Sequence, residues 1–168
     1  MSTLSVNGPA ISRRGSVSTH VSDAVDALAR FLTRWSVPAL RVALGLVFLG
    51  FGVLKFFPGA SPAEVVAERT IDTLTLGLVH GTVAVVLTAV VECFIGITLV
   101  TGYWLRAGLV VMAGAFVGIL APTVLFFEEL FGSGMTLLGQ YVLKDVVLVA
   151  AATVVGAYAL GARLRRTA

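Results

Sequence analysis

The chain has 168 residues, a length that fits one domain, yet 58% of them are hydrophobic and only 12% charged, against roughly 45–50% and 25% in an ordinary soluble domain. With a mean hydropathy of +1.00, this composition excludes a soluble enzyme, a secreted disulfide scaffold and a disordered regulator, each of which needs more polar surface than twelve Lys and Arg and nine Asp and Glu can supply. The net charge of +3 and pI near 9.5 point to membrane orientation and not to nucleic acid, because no basic patch sits in a foldable soluble context. One cysteine, Cys93, allows no intrachain disulfide and no cysteine-built cluster. His20 and His80 are too far apart in chemistry and depth to hold a haem on their own, so no metal site is expected.

Residues 1–20 are rich in Ser, Thr, Gly and Arg without an apolar face and read as a disordered cytoplasmic tail. Arg13-Arg14 is not an export signal, since Asp23, Asp26, Arg30 and Arg34 occupy the stretch where an apolar run is required. Over 21–36, Val21, Val25, Leu28, Leu32 and Trp35 recur at helical spacing, which predicts an amphipathic helix lying on the inner leaflet.

A bilayer core about 30 Å thick needs about 20 apolar residues in a helix. Four stretches qualify: 38–57, 79–100, 107–127 and 141–160. Pro38 suits the first turn of the first span. Between the first two, Ser61-Pro62-Ala63-Glu64 has the form of a capping box, predicting a short external helix from Pro62 to about Leu74 that covers the bundle mouth. Gly102-Tyr103-Trp104 makes spans two and three an antiparallel hairpin, Pro122 predicts a kink, and Gly132-Ser133-Gly134 a turn. Residues 161–168 form a basic tail. The fold class is therefore all-α: a four-helix transmembrane bundle with an N-terminal interfacial helix and a short external helix.

Four spans place both termini on one side of the membrane. Arg13, Arg14, Arg30, Arg34, Arg41, Arg106, Arg163, Arg165 and Arg166 share that side, and Lys55, Arg69 and Lys144 fall on the other. The excess of positive charge makes the first side cytoplasmic.

The charges inside the spans are the candidate site. Arg41, Gly45, Phe48, Gly52 and Lys55 line one face of span one. Glu92 lies near the middle of span two, where an unpaired carboxylate costs about 2.5–3.5 kcal/mol on insertion scales. At 1.5 Å per residue, Arg41 sits roughly 10 Å and Glu92 about 4 Å to the cytoplasmic side of the midplane, so Arg41–Glu92 is the first expected pair. Lys55, Lys144 and Asp145 lie roughly 8–11 Å to the external side, so Lys55–Asp145 is the second, with His80 above them. Such pairs can simply fix helix register. Alternatively Lys55, His80, Lys144 and Asp145 form a headgroup or quinone site, lysine bonding a quinone carbonyl and His or Asp carrying its proton. A third reading makes Glu92 the coupling carboxylate of a small-solute or proton-coupled transporter. Cys93 reads as a packing residue. Gly114-x-x-x-Gly118 and Ala152-x-x-x-Gly156 permit close helix contact, within the bundle or in a homo-oligomer.

Over residues 38–160 the chain resembles the DoxX family of small bacterial membrane proteins. The resemblance rests on Arg41-Val-Ala-Leu-Gly45 leading into Gly52-Val-Leu-Lys55-Phe56, on Glu92-Cys-Phe-Ile-Gly96 followed by Gly102 and Arg106, and on Gln140-Tyr-Val-Leu-Lys144-Asp145. The last element is also similar to the related inner-membrane family associated with reactive-chlorine resistance. The resemblance implies a four-helix protein of the bacterial plasma membrane. In some members of the family this is a subunit of a thiosulfate:quinone oxidoreductase, and in others a membrane partner of soluble oxidative-stress proteins such as a superoxide dismutase and a sulfurtransferase. The chain carries no flavin, haem or metal motif, so no covalently bound cofactor is expected, and electron transfer would need a bound quinone or a partner subunit. The leading expectation is a non-catalytic membrane subunit or anchor in redox or oxidative-stress handling, with a quinone-linked oxidoreductase subunit as the first alternative.

Overall fold

The computed structural model describes residues 13–61, 64–132, 134 and 136–163, with side chains from residue 20 onward. Seven helices follow in order: α1 Arg13–Leu54, α2 Glu64–Leu74, α3 Gly81–Thr101, α4 Leu105–Leu120, α5 Pro122–Leu125, α6 Phe127–Phe131 and α7 Leu137–Ala159. No strand occurs among the described residues. Four helical stretches, His20–Leu54, Gly81–Thr101, Leu105–Leu125 and Leu137–Ala159, are long and apolar enough to cross a membrane. The protein is thus an all-α, multi-pass membrane protein.

The chain divides into two units, residues 1–36 and 37–168. In the first, helix extends back to Arg13, so 13–20 is not the unstructured tail that its composition suggests, while residues 1–12 lie outside the described residues. Val21, Val25, Leu28, Leu32 and Trp35 are all exposed, forming an apolar stripe, and the Arg34 guanidinium stacks 5.6 Å from the Trp35 ring. The surface helix and the first span are not separate elements in the backbone, because Pro38 lies inside α1 instead of opening a new helix. A proline there deprives the Arg34 carbonyl of its helical donor and crowds it with the ring, yet α1 continues through it.

In the second unit, residues 37–54 of α1 run antiparallel to α3 along a seam of glycines. A Cβ on Gly45 would stand 2.9 Å from the Val100 amide nitrogen, one on Gly52 2.9 Å from that of Cys93, and one on Gly96 2.7 Å from that of Leu49. The missing side chains let the two backbones touch, the packing mode open to helices in a solvent that offers no hydrophobic drive between them. The α3–α4 hairpin closes similarly: a Cβ on Gly108 would collide with the Thr98 hydroxyl. Gly102, at φ 79°, ends α3 by donating its N–H to the Thr98 carbonyl, and Trp104 follows at φ 52°. Leu44, Phe48, Ile95, Leu99, Met112, Phe116, Ala152 and Val155 form one buried core from all four spans, with Phe48 and Phe116 edge to face at 5.9 Å.

The connections at the Lys55 end differ in detail from their expected form. The short helix spans Glu64–Leu74, and Pro62 and Ala63 lie outside the described residues. Glu64 accepts from the Gly59 N–H at 2.8 Å instead of closing a box on Ser61, whose buried hydroxyl has no partner among the described residues. Pro122 stops α4 at Leu120 and restarts the chain as α5. Thr136 caps α7, accepting from the Gly139 N–H at 3.0 Å, so the last span begins at Leu137, four residues before its expected start.

Candidate functional site

The first ion pair expected from depth alone does not form. Glu92 is paired with Lys55, whose Nζ donates to Oε2 at 2.6 Å, and both residues are buried, at 7% and 5% exposure. The glycine seam explains the exchange of partner. Because Gly52 sits level with Cys93, Arg41 lies eleven residues away along α1, about 16 Å at helical rise and beyond its reach. Lys55, just past the end of α1, has only to lean back about one turn, the direction in which side chains on a helix already point. Arg41 instead rests against the α3–α4 turn, with its Nη1 3.0 Å from where a Cβ on Gly102 would stand.

Lys55–Asp145 is likewise not an ion pair, since Lys55 is committed to Glu92. Both residues nevertheless line one cavity of about 550 Å³, together with Glu92 and Lys144. The remainder of the wall is mostly apolar, and includes Phe48, Phe51, Val91, Ala115 and Leu148. Lys144 holds its ammonium over two rings, 4.0 Å from Tyr141 and 4.7 Å from Phe51. Lys144 is exposed, and an ammonium held over ring faces keeps its donors free for a carbonyl or an anion. His80 does not join this group. It is exposed, precedes α3, and donates from Nδ1 to the Gly77 carbonyl at 3.0 Å, and it is not among the cavity's lining residues.

Helix α2 roofs the cavity through Val66, Ala67, Thr70, Ile71 and Leu74. Thr70 is buried and ties its hydroxyl to the Val66 carbonyl. On its outer side Arg69 makes a forked pair with Glu129 of α6, at 2.8 and 3.0 Å, while its guanidinium stacks 4.5 Å from Phe126. Sequence reasoning did not find this clasp or the ring contacts of Lys144. The available signal was that Arg69 is the only Lys or Arg between spans one and two, while Glu128 and Glu129 follow span three.

The Arg69 hydrogen bond holds the Glu129 carboxyl below the usual carboxylate range, and Glu129 raises the arginine in turn. A depressed carboxyl pKa means that the clasp is complete above the ordinary carboxylate value of about 4.3 and is lost as pH falls through the lower folded value. Hydrogen exchange over Glu64–Leu74 is therefore expected to be unchanged from pH 8 to 5, once corrected for the intrinsic rate, and to quicken on further acidification. In Arg69→Gln it should already be fast at pH 7. The pair is exposed, so it should affect this segment and not global stability.

No group of three or more His, Cys, Asp or Glu able to hold a metal ion occurs among the described residues. The family model described as DoxX matches residues 36–129, which takes in the glycine seam, Arg41, Lys55, Glu92 and the clasp but stops before Lys144 and Asp145. No curated protein and no solved structure matches the chain.

Proposed function

The chain belongs to the DoxX family, and from that premise we propose that it is a membrane subunit in redox or oxidative-stress handling whose cavity holds a quinone for a partner protein. In this reading the protein sits in a bacterial plasma membrane with both termini cytoplasmic, its arginine-rich end facing inward.

The observation that carries the proposal is the cavity itself. A volume of about 550 Å³ falls in the usual range for small-ligand pockets, as does a largely apolar wall with a few converging polar groups. The residues fit a lipophilic dicarbonyl ring. Phe51 and Tyr141 offer ring faces, the Lys144 ammonium can donate to a carbonyl, and the Asp145 carboxyl, which makes no ion pair among the described residues, can hold a proton on the cavity wall. A bound quinone supplies two-electron acceptance; the chain's own contribution is to bind, orient and exclude water under α2. Lys55 and Glu92 satisfy one another, so their part is to hold the shape of the cavity floor.

That mutual satisfaction favours the second reading, a bare anchor whose partner carries all the chemistry. A transporter reading gains little from a Glu92 already held by a lysine at 2.6 Å. Solvent extraction of protein purified in mild detergent separates the first two. Quinone is expected at near-stoichiometric amounts in the wild type, falling at least about tenfold in Lys144→Ala, the loss that one charge-assisted hydrogen bond accounts for. A folded wild type with no more quinone than an unrelated membrane protein would leave the anchor.

A further inference from the structure

We infer that the Arg41 end of the membrane domain carries a site for a phosphate oxyanion, and that the headgroup of an anionic phospholipid supplies it. The Arg41 Nε is buried and has no hydrogen-bond partner among the described residues. Its guanidinium lies against the α3–α4 turn, beside Gly102, and forms no ion pair among the described residues. A charged group left unpaired at the boundary of a bilayer calls for a counter-charge.

No Asp or Glu side chain of the membrane domain's described residues lies at that end. Its acids are Glu64, Glu68, Asp72, Glu92, Glu128, Glu129 and Asp145, and every one lies in the middle of a span or toward Lys55. The alternation of helix direction instead puts further cations at the same end as Arg41: Arg106 in the first turn of α4 and Arg163 just past α7, which donates to the Tyr158 and Ala162 carbonyls. The carbonyls closing α3 present only about half a negative charge, which offsets part of one guanidinium and not three.

The surroundings distinguish a lipid from a free anion. Tyr103 and Trp104, 80% and 77% exposed, project from the same turn, and amphipathic rings of this kind settle at headgroup depth. Ile97 and Val110, on the adjoining turns of α3 and α4, are also exposed and give acyl chains an apolar track directly below. A guanidinium presents two donor edges matched to phosphate oxygens, so Arg41 suits a phosphodiester better than a point-charge cation would.

The test uses the full chain in mild detergent, with phosphatidylglycerol, phosphatidylcholine or inorganic phosphate added at equal concentration. In native mass spectra, phosphatidylglycerol adducts are expected to survive activation that strips phosphatidylcholine. Arg41→Gln should weaken phosphatidylglycerol retention about fivefold to tenfold, the factor that one cation near an anionic headgroup contributes, and leave phosphatidylcholine unchanged. Thermal unfolding of the wild type should rank the additives in the same order, which decides the matter even if Arg41→Gln does not fold. Equal retention of the two lipids overturns the site, as does undiminished phosphatidylglycerol binding in a folded Arg41→Gln. Inorganic phosphate that stabilises as well as phosphatidylglycerol would overturn the lipid as its source.

Discussion

Lys55→Met and Glu92→Leu are each expected to cost roughly 3–5 kcal/mol of stability, while the double variant recovers most of it. Each single change strands a charge beside an apolar cavity, in a place where Lys55 and Glu92 now satisfy one another at 2.6 Å. Removing both replaces a desolvated pair by apolar groups of similar size, which is close to neutral. Thermal unfolding in micelles gives the coupling energy as the departure from additivity. It should be large for Lys55 with Glu92 and near zero for Arg41 with Glu92, because the helix register separates the latter pair by about 16 Å. Full stability in Glu92→Leu alone would mean that the pair does not exist.

The second large effect is steric. Gly96→Val is expected to disrupt the contact between α1 and α3, since a Cβ there would stand 2.7 Å from the Leu49 amide nitrogen and 2.8 Å from the Gly45 carbonyl oxygen. Neither atom is the free end of a flexible side chain, so the helices must separate, and the cost should reach or exceed the roughly 1–3 kcal/mol typical of overpacking. Gly50→Val and Gly156→Val are the matched controls, because nothing lies within 4 Å of a Cβ at either position. Folded yield by size exclusion should collapse for the first variant and hold for the other two. Equal yields for all three would disprove the seam.

Much of the architecture was legible because hydropathy is a property of the solvent a segment meets, and long charge-free runs have only one solvent that suits them. The four spans, the α3–α4 hairpin and the break at Pro122 follow from such local signals. Pro38 misled because a proline ends a helix in water more readily than within an apolar run that has no other way to satisfy its backbone. The ionic partners were harder. Counting 1.5 Å per residue places each charge relative to its own span, but pairing depends on the offset between spans, and here that offset is set by the contact of Gly52 with Cys93 and of Gly96 with Leu49. Gly45 and Gly52 were recognisable as a stripe; that Gly96 was their counterpart was not, because one sequence does not say which helix faces which. His80 escaped its assigned place for a related reason: the Gly77 turn draws its ring away from the cavity.

The glycine seam runs from Gly45 up to Gly52, where it meets the cavity at Glu92, and the two ends of the bundle differ in where the molecule can yield. Around Leu44, Ile95 and Leu99 the spans are in backbone contact and share a filled core, so a displacement there has nowhere to go. Toward α2 they enclose empty volume and are held across the top by an exposed clasp. Thermal motion is therefore expected to be larger where the spans line the cavity than around the seam, with the spans opening like tweezers from a welded base.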